Sequence, residues 1–206
     1  MEQDRLYREQ ERLAKRATLY DAFGKIRYVA GVDCSYLDDH IIGGAVVVDY
    51  ESLKLVEKAH VILKLKFPYI PGLLAYREAA AMMAAVRKIE HDVDVLMIDG
   101  FGINHPRMCG IATHVGVKLD IPAIGVGKSF LCGEACGEGY ICQSGERVGK
   151  MVYSVGSKRP VYVSPGHKVS LDTAVEVVEH CIRTGRQPEP TRLAHEYVTA
   201  LKQEVI

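Results

Sequence analysis

Residues 26–67 decide the fold, because three runs of strand-forming residues follow one another there: IRYVAGVDCSYL at 26–37, IIGGAVVVDYE at 41–51 and LKLVEKAHVILKLKF at 53–67. Apolar and β-branched residues dominate each run, and only short turns separate them. Connections this short favour antiparallel pairing between consecutive strands. The segment therefore predicts a three-strand antiparallel meander.

Beyond the meander, helices and strands alternate. Helices are predicted over 3–20, 73–91, 106–120 and 170–185 and from about Thr191, and strands over 93–100, 122–129, 146–156 and 160–165, the last two as a hairpin. The run at 93–100, VDVLMIDG, is apolar almost throughout, which is typical of a strand buried on both faces. A meander followed by alternating helices and strands predicts an α/β fold with a mixed sheet flanked by helices. No linker interrupts the pattern, so we expect one domain spanning residues 1–206.

The composition limits the classes of protein that fit. The chain has 206 residues, 26 basic and 26 acidic side chains and 48% apolar residues, which is ordinary for a soluble globular protein. No apolar run approaches the ~20 residues of a membrane helix, and the charged N-terminus does not resemble a secretory signal. We therefore expect a cytoplasmic protein without a membrane partner. Because proteins that coat duplex DNA are usually basic, the net charge of zero means that any contact with nucleic acid comes from a local patch or a bound cation.

The cysteines cluster in one glycine-rich stretch. Cys132, Cys136 and Cys142 lie in LCGEACGEGYICQSG at 131–145, and the chain has six cysteines in all. The absence of a signal and of regular spacing favours thiols over disulfides, and the spacing fits a zinc site only loosely. We expect a loop with free thiols.

Three carboxylates lie where a folded core should not hold them. Asp33 is inside the first strand, Asp99 ends the apolar run, and Glu78 interrupts an apolar helical stripe formed by Leu74, Met82, Ala85 and Ile89. Each alone could cap a turn or pair with a cation, but strand one, the helix and strand four can bring all three to one point. Converging carboxylates repel unless a cation lies between them. Oxygen ligands favour Mg²⁺, with Mn²⁺ as a substitute, over zinc.

Six blocks of sequence resemble the endonuclease V (deoxyinosine 3′ endonuclease) family in order and spacing. They are VAGVDCSY at 29–36, FPYIPGLLAYRE at 67–78, IDGFGINHPRMCGIATHVGV at 98–117, IPAIGVGKS at 121–129, VYVSPGH at 161–167 and PEPTRLAH at 188–195. The resemblance covers about residues 28–197. It implies a ribonuclease H-like fold, and the order of Asp, Glu and Asp on strand one, helix and strand four is similar to that fold as well.

The resemblance also implies an activity. It is that of a Mg²⁺-dependent deoxyribonuclease V, a DNA repair enzyme that recognises deoxyinosine. Such an enzyme hydrolyses the second phosphodiester bond 3′ to the lesion and leaves 3′-hydroxyl and 5′-phosphate ends. We expect a monomer acting on inosine-containing DNA. The alternatives are an inosine-specific endoribonuclease, a structure-selective nuclease such as a junction resolvase, and a non-catalytic inosine-binding module.

Carried over residue by residue, the resemblance assigns a metal and catalytic centre. Its metal-binding acids are Asp33, Glu78 and Asp99. His195 falls near the metal, although the helical pattern alone places it on a solvated face. Lys128 and His105 fall on residues implicated in activity and substrate contact.

The resemblance also assigns a wedge and a base pocket. The turn that enters the duplex at the lesion is formed by Tyr69 with Pro68, Ile70 and Pro71. The backbone around an extruded hypoxanthine is assigned to Gly72, Leu74, Gly100, Gly102 and Ile111. Three positions depart from the family pattern. Phe101 stands where family members commonly have a polar residue, Asn104 stands where alanine is common, and Gly127 stands where alanine is usual.

Overall fold

The structure is a computed structural model that describes residues 2–204. The helices are α1 (Glu2–Ala14), α2 (Leu74–Val86), α3 (Ile111–Leu119), α4 (Leu171–Cys181) and α5 (Glu189–Glu204). The strands are β1 (Tyr28–Leu37), β2 (His40–Asp49), β3 (Leu55–Lys64), β4 (Val95–Asp99), β5 (Ala123–Gly127), β6 (Glu134–Ala135), β7 (Tyr140–Gln143), β8 (Glu146–Val152) and β9 (Val161–His167). None of these helices is long and apolar enough to cross a membrane.

These strands form one mixed sheet in the order β3-β2-β1-β4-β5-β9-β8-β7-β6. The strands β1, β2 and β3 pair antiparallel, as the short turns between them predict. Next to them, β4 runs parallel to β1 and β5 runs parallel to β4. The predicted fold class, a mixed α/β sheet that begins with an antiparallel meander, is confirmed.

Helices cover both faces of the sheet. β1 packs against the helices on each face because its side chains alternate between the two faces. Ala30 and Val32 pack with α2 and α3 on one face, whereas Val29 belongs to the core on the α4 and α5 face. Gly31 allows α5 to approach closely, since a Cβ atom at this position would lie 1.9 Å from the carbonyl oxygen of Pro190. This contact seats the start of α5 directly on β1.

Four predicted helices are shorter in the structure, and two of them, α2 and α4, end at Val86 and Cys181 instead of at residues 91 and 185. The first helix, α1, was expected to reach residue 20 but ends at Ala14, and the side chain of Tyr20 is 69% exposed. The helix expected from residue 106 begins only at Ile111. The preceding segment is held elsewhere, because the N–H of Ile103 donates to the carbonyl oxygen of Pro165 and Met108 has a positive φ of 52°.

The cysteine-rich stretch is a hairpin and not an irregular loop of free thiols. Strands β6 and β7 pair there, and the carbonyl oxygen of Tyr140 accepts a hydrogen bond from Cys136. This tight connection brings the Cα atoms of Cys136 and Cys142 to 5.8 Å, and the two form a disulfide. The expectation of free thiols is therefore wrong for these two residues. It holds for Cys132.

Candidate metal centre and adjoining pocket

Two of the predicted acids meet because their strands are parallel neighbours. Val32 of β1 is paired in register with Ile98 of β4, so the next residue on each strand is Asp33 and Asp99. Ligand atoms of these two carboxylates and of His195 all lie within 4.8 Å of one another. The carboxyl ends of parallel strands are where sheets of this class gather ligands.

Cationic and imidazole groups contact both carboxylates. The Nδ1 atom of His195 lies 2.8 Å from an Oδ atom of Asp33, and about half of the imidazole is exposed. The ammonium group of Lys128, just beyond the end of β5, forms an ion pair with Asp99. The prediction from the helical pattern placed His195 on a solvated face, and the structure gives it a specific partner as well.

Glu78 reaches the centre from the opposite face of the sheet. The residue is 9% exposed, and its carboxylate accepts a hydrogen bond from the hydroxyl of Tyr36. The guanidinium of Arg77 lies 4.6 Å from the centre of the Tyr36 ring and fixes that side chain. Glu78 is thus beside the cluster but not among the ligand atoms that lie within 4.8 Å of one another.

The electrostatics of the centre suit a divalent cation. Burial and the neighbouring charge of Asp99 raise the pKa of Asp33 to about 6. Burial also raises the pKa of Glu78 to about 7; the Tyr36 hydrogen bond lowers this pKa, and the charges of Asp33 and Asp99 raise it further. For both carboxylates, burial and mutual repulsion outweigh the nearby Lys128 and Arg77 charges. Carboxylate oxygens with one imidazole and no thiolate fit Mg²⁺ or Mn²⁺.

A cavity of about 280 Å³ is lined by residues that neighbour the centre along the chain, among them Phe101 and Ser129. Among the predicted pocket residues, Gly72, Leu74 and Ile111 line it. Gly100 and Gly102 do not, although Phe101 between them does. Gly102 is buried behind the wall, where its N–H donates to Ser164 Oγ and an added Cβ would lie 2.1 Å from the Pro165 carbonyl oxygen. Gly100, at φ 149°, turns the chain after β4 into this wall.

Tyr69 and His105 lie at this cavity and not in the metal centre. Tyr69 is 67% exposed on the turn between Pro68 and Pro71, and Ile70 closes that turn by accepting a hydrogen bond from the N–H of residue 73. His105 is buried, and burial together with a neighbouring arginine lowers its pKa to about 4. Its imidazole is therefore neutral at physiological pH.

The sequence prediction missed several residues that line the cavity: Gln10, Ala75, Phe101, Cys109, Gly110, Ser129 and Leu131. Gln10 carried a readable signal, because it interrupts the apolar face of α1 between Leu6 and Leu13 as Glu78 interrupts that of α2. Ala75 lies on α2. The others come from loops and depend on tertiary contacts that no periodicity reports.

A sheet of this order, with one acid in the middle of β1 and another at the adjacent end of β4, defines a ribonuclease H-like nuclease. The sequence profile described as Endonuclease V matches residues 11–196. An endonuclease V from Dictyoglomus turgidum is 40% identical over 195 residues, which cover 91% of this chain and 86% of that protein. The chain belongs to the endonuclease V family.

Solved structures of the family superpose closely on this chain. The crystal structure of an endonuclease V from Bacillus subtilis gives a TM-score of 0.91 at 29% identity and covers 100% of this chain and 93% of that one. A variant of the Ciona intestinalis enzyme, in complex with a 23mer DNA containing an inosine followed by a ribo-adenosine, gives 0.91 at 28% identity. That alignment covers 100% of this chain and 98% of the Ciona chain.

Proposed function

We propose that this protein is a Mg²⁺-dependent DNA repair endonuclease that recognises deoxyinosine. It hydrolyses the second phosphodiester bond 3′ to the lesion and leaves 3′-hydroxyl and 5′-phosphate ends. The Ciona relative bound to inosine-containing DNA supports this substrate class. Pocket and acidic centre both come from one chain, so a monomer suffices for the reaction.

The observation that carries the proposal is that the centre and the cavity are built on the same segments. Asp99 is two residues from the pocket side chain Phe101, and Lys128 directly precedes Ser129. On α2, one turn separates Leu74 from Glu78. A base held in the cavity therefore leaves the adjoining phosphates beside the acids, so that recognition and scission occur at separate but fixed points.

The side chains present fit the hydrolysis of a phosphodiester. A divalent cation held by Asp33, Asp99 and Glu78 would supply an activated water and stabilise the leaving oxygen. His195 orients that centre through Asp33 and is exposed enough to exchange a proton with solvent. Lys128 places a positive charge where a phosphate would approach.

One alternative has a specific observation in its favour. In the Ciona complexes the nucleotide after the inosine is a ribo-adenosine. An inosine-directed endoribonuclease of the same fold would read the 2′-hydroxyl at that position. A non-catalytic inosine-binding module is disfavoured, because a binder has no use for buried acids that repel one another.

The test is cleavage of matched strands that differ at one base. DNA and RNA oligonucleotides carrying inosine or adenosine at one position are incubated with Mg²⁺ or with EDTA, and the cut is mapped. We expect Mg²⁺-dependent scission of inosine DNA at the second 3′ bond, and no scission by Asp33→Ala. Faster cleavage of inosine RNA would select the alternative, and equal cleavage of adenosine strands would reject both.

A further inference from the structure

Gln10 is a buried polar side chain on α1, the helix farthest in sequence from the acidic centre. Its side chain is 1% exposed and lines the cavity described above. A buried amide destabilises the fold unless its donor and acceptor groups are paired. The partners of Gln10 therefore indicate what α1 holds in place.

Gln10 forms hydrogen bonds to two separate walls of the cavity. Its Nε2 donates to the carbonyl oxygens of Gly72, at 3.0 Å, and Cys109, at 3.3 Å. Its Oε1 accepts from Nε of Arg107 at 2.6 Å, and Nη2 of Arg107 donates to the same Gly72 oxygen at 2.8 Å. The guanidinium also lies 4.0 Å from the centre of the Tyr7 ring, again on α1.

This ring of contacts fixes the separation of the two walls. Gly72 belongs to the turn that carries Tyr69, and Cys109 belongs to the segment that leads into α3. Gly72 has a φ of 77°, and a Cβ atom there would lie 2.8 Å from Arg107 Nη2. The backbone conformation of Gly72 and its contact with Arg107 therefore depend on each other. Gln10 ties both to the opposite wall.

We propose that Gln10 is a positioning residue that, together with Arg107, sets the width of the base pocket and thereby its selectivity for hypoxanthine over guanine. This inference rests on the proposed function. Guanine is hypoxanthine with one additional amino group at C2, so a pocket of fixed width can exclude it sterically. A pocket whose walls are free to separate admits both bases. Gln10 acts through the walls and not on the reacting atoms.

The experiment compares cleavage of single strands that carry one inosine or one guanosine at the same position. We expect Gln10→Ala to lower the inosine-to-guanosine ratio of kcat/KM about tenfold, because it removes hydrogen bonds from both walls. The change should appear as a lower KM for guanosine strands, with kcat for inosine strands and the half-saturating Mg²⁺ concentration unchanged. Gln10→Glu keeps the side-chain volume and the Arg107 contact but lacks both donors, so it should shift the ratio in the same direction if the alanine variant folds poorly.

Leu6→Ala is the matched control, because Leu6 is buried on the same face of α1 but makes none of these side-chain hydrogen bonds. It should lower the melting temperature and leave the selectivity ratio unchanged. An unchanged ratio in both Gln10 variants, with normal inosine cleavage by wild type, would overturn the inference and leave the proposed function standing.

Amide hydrogen exchange tests whether Gln10 holds the cavity walls in place, and it does so without measuring catalytic activity. Peptides spanning 68–74 and 105–110 should exchange faster in Gln10→Ala than in wild type or Leu6→Ala. Failure of wild type to cut inosine strands would reject the proposed function alone. Exchange that is unchanged in Gln10→Ala would reject the positioning role itself.

Discussion

Replacing Glu78 with glutamine should stabilise the metal-free protein at neutral and alkaline pH. Glutamine has almost the same shape and keeps an oxygen to accept the hydrogen bond from Tyr36. What it removes is a buried negative charge beside Asp33 and Asp99. Burial, together with the charges of Asp33 and Asp99, raises the pKa of Glu78 from an ordinary value of 4.5 to about 7. Because one pKa unit corresponds to about 1.4 kcal/mol, ionising Glu78 in the folded protein costs up to about 3 kcal/mol.

The dependence on pH gives this prediction its sign. Below about pH 4.5 the Glu78 carboxyl is protonated in both the folded and the unfolded chain, so the cost is absent there, and it is complete above about pH 7. Thermal unfolding in EDTA should therefore show Glu78→Gln melting about 5–10 °C above wild type at pH 8 and close to wild type at pH 4. Glu146→Gln, at an exposed position of β8, is the control that should change little at either pH. A fall in the melting temperature of Glu78→Gln at pH 8 would show that the three acids are not clustered.

The remaining predictions separate chemistry from recognition. Asp99→Ala should abolish cleavage and keep inosine binding, since it removes an oxygen ligand; near-normal Mg²⁺-dependent turnover would contradict the metal centre. His195→Ala should slow single-turnover cleavage by roughly 10²–10⁴-fold without abolishing it, and an unchanged rate would reduce this residue to a solvated side chain. Tyr69→Ala should weaken binding of inosine duplex by roughly ten- to a hundredfold and of inosine single strand by less, because only the duplex must be held open; equal losses would argue against a wedge. Gly127→Ala should raise KM for inosine strands by displacing Phe101, and Phe101→Ala in the same chain should relieve that clash.

The acidic centre could be predicted from the sequence because its position follows from local rules. Strand alternation puts Asp33 on the α5 face, and the parallel neighbour β4 ends in Asp99 at the matching level. The exact position of Glu78 could not be predicted, because its hydrogen bond to Tyr36 crosses from α2 to β1. The disulfide between Cys136 and Cys142 escaped prediction for a similar reason, since it depends on a two-residue strand that carries almost no pattern.

The residues at positions 101 and 127, both of which depart from the family pattern, lie next to each other in the structure. A Cβ atom on Gly127 would lie 2.4 Å from Cζ of the Phe101 ring, closer than any real Cβ contact. An alanine at 127 and a phenylalanine at 101 are therefore incompatible in this arrangement, and each of the two observed residues makes room for the other. Because the ring of Phe101 lines the cavity, this pairing replaces a polar wall with an aromatic face on which a base can stack. Under the proposed function, a base in this cavity would gain contact area from the Phe101 ring, so the pocket width that we propose Gln10 sets bears on selectivity.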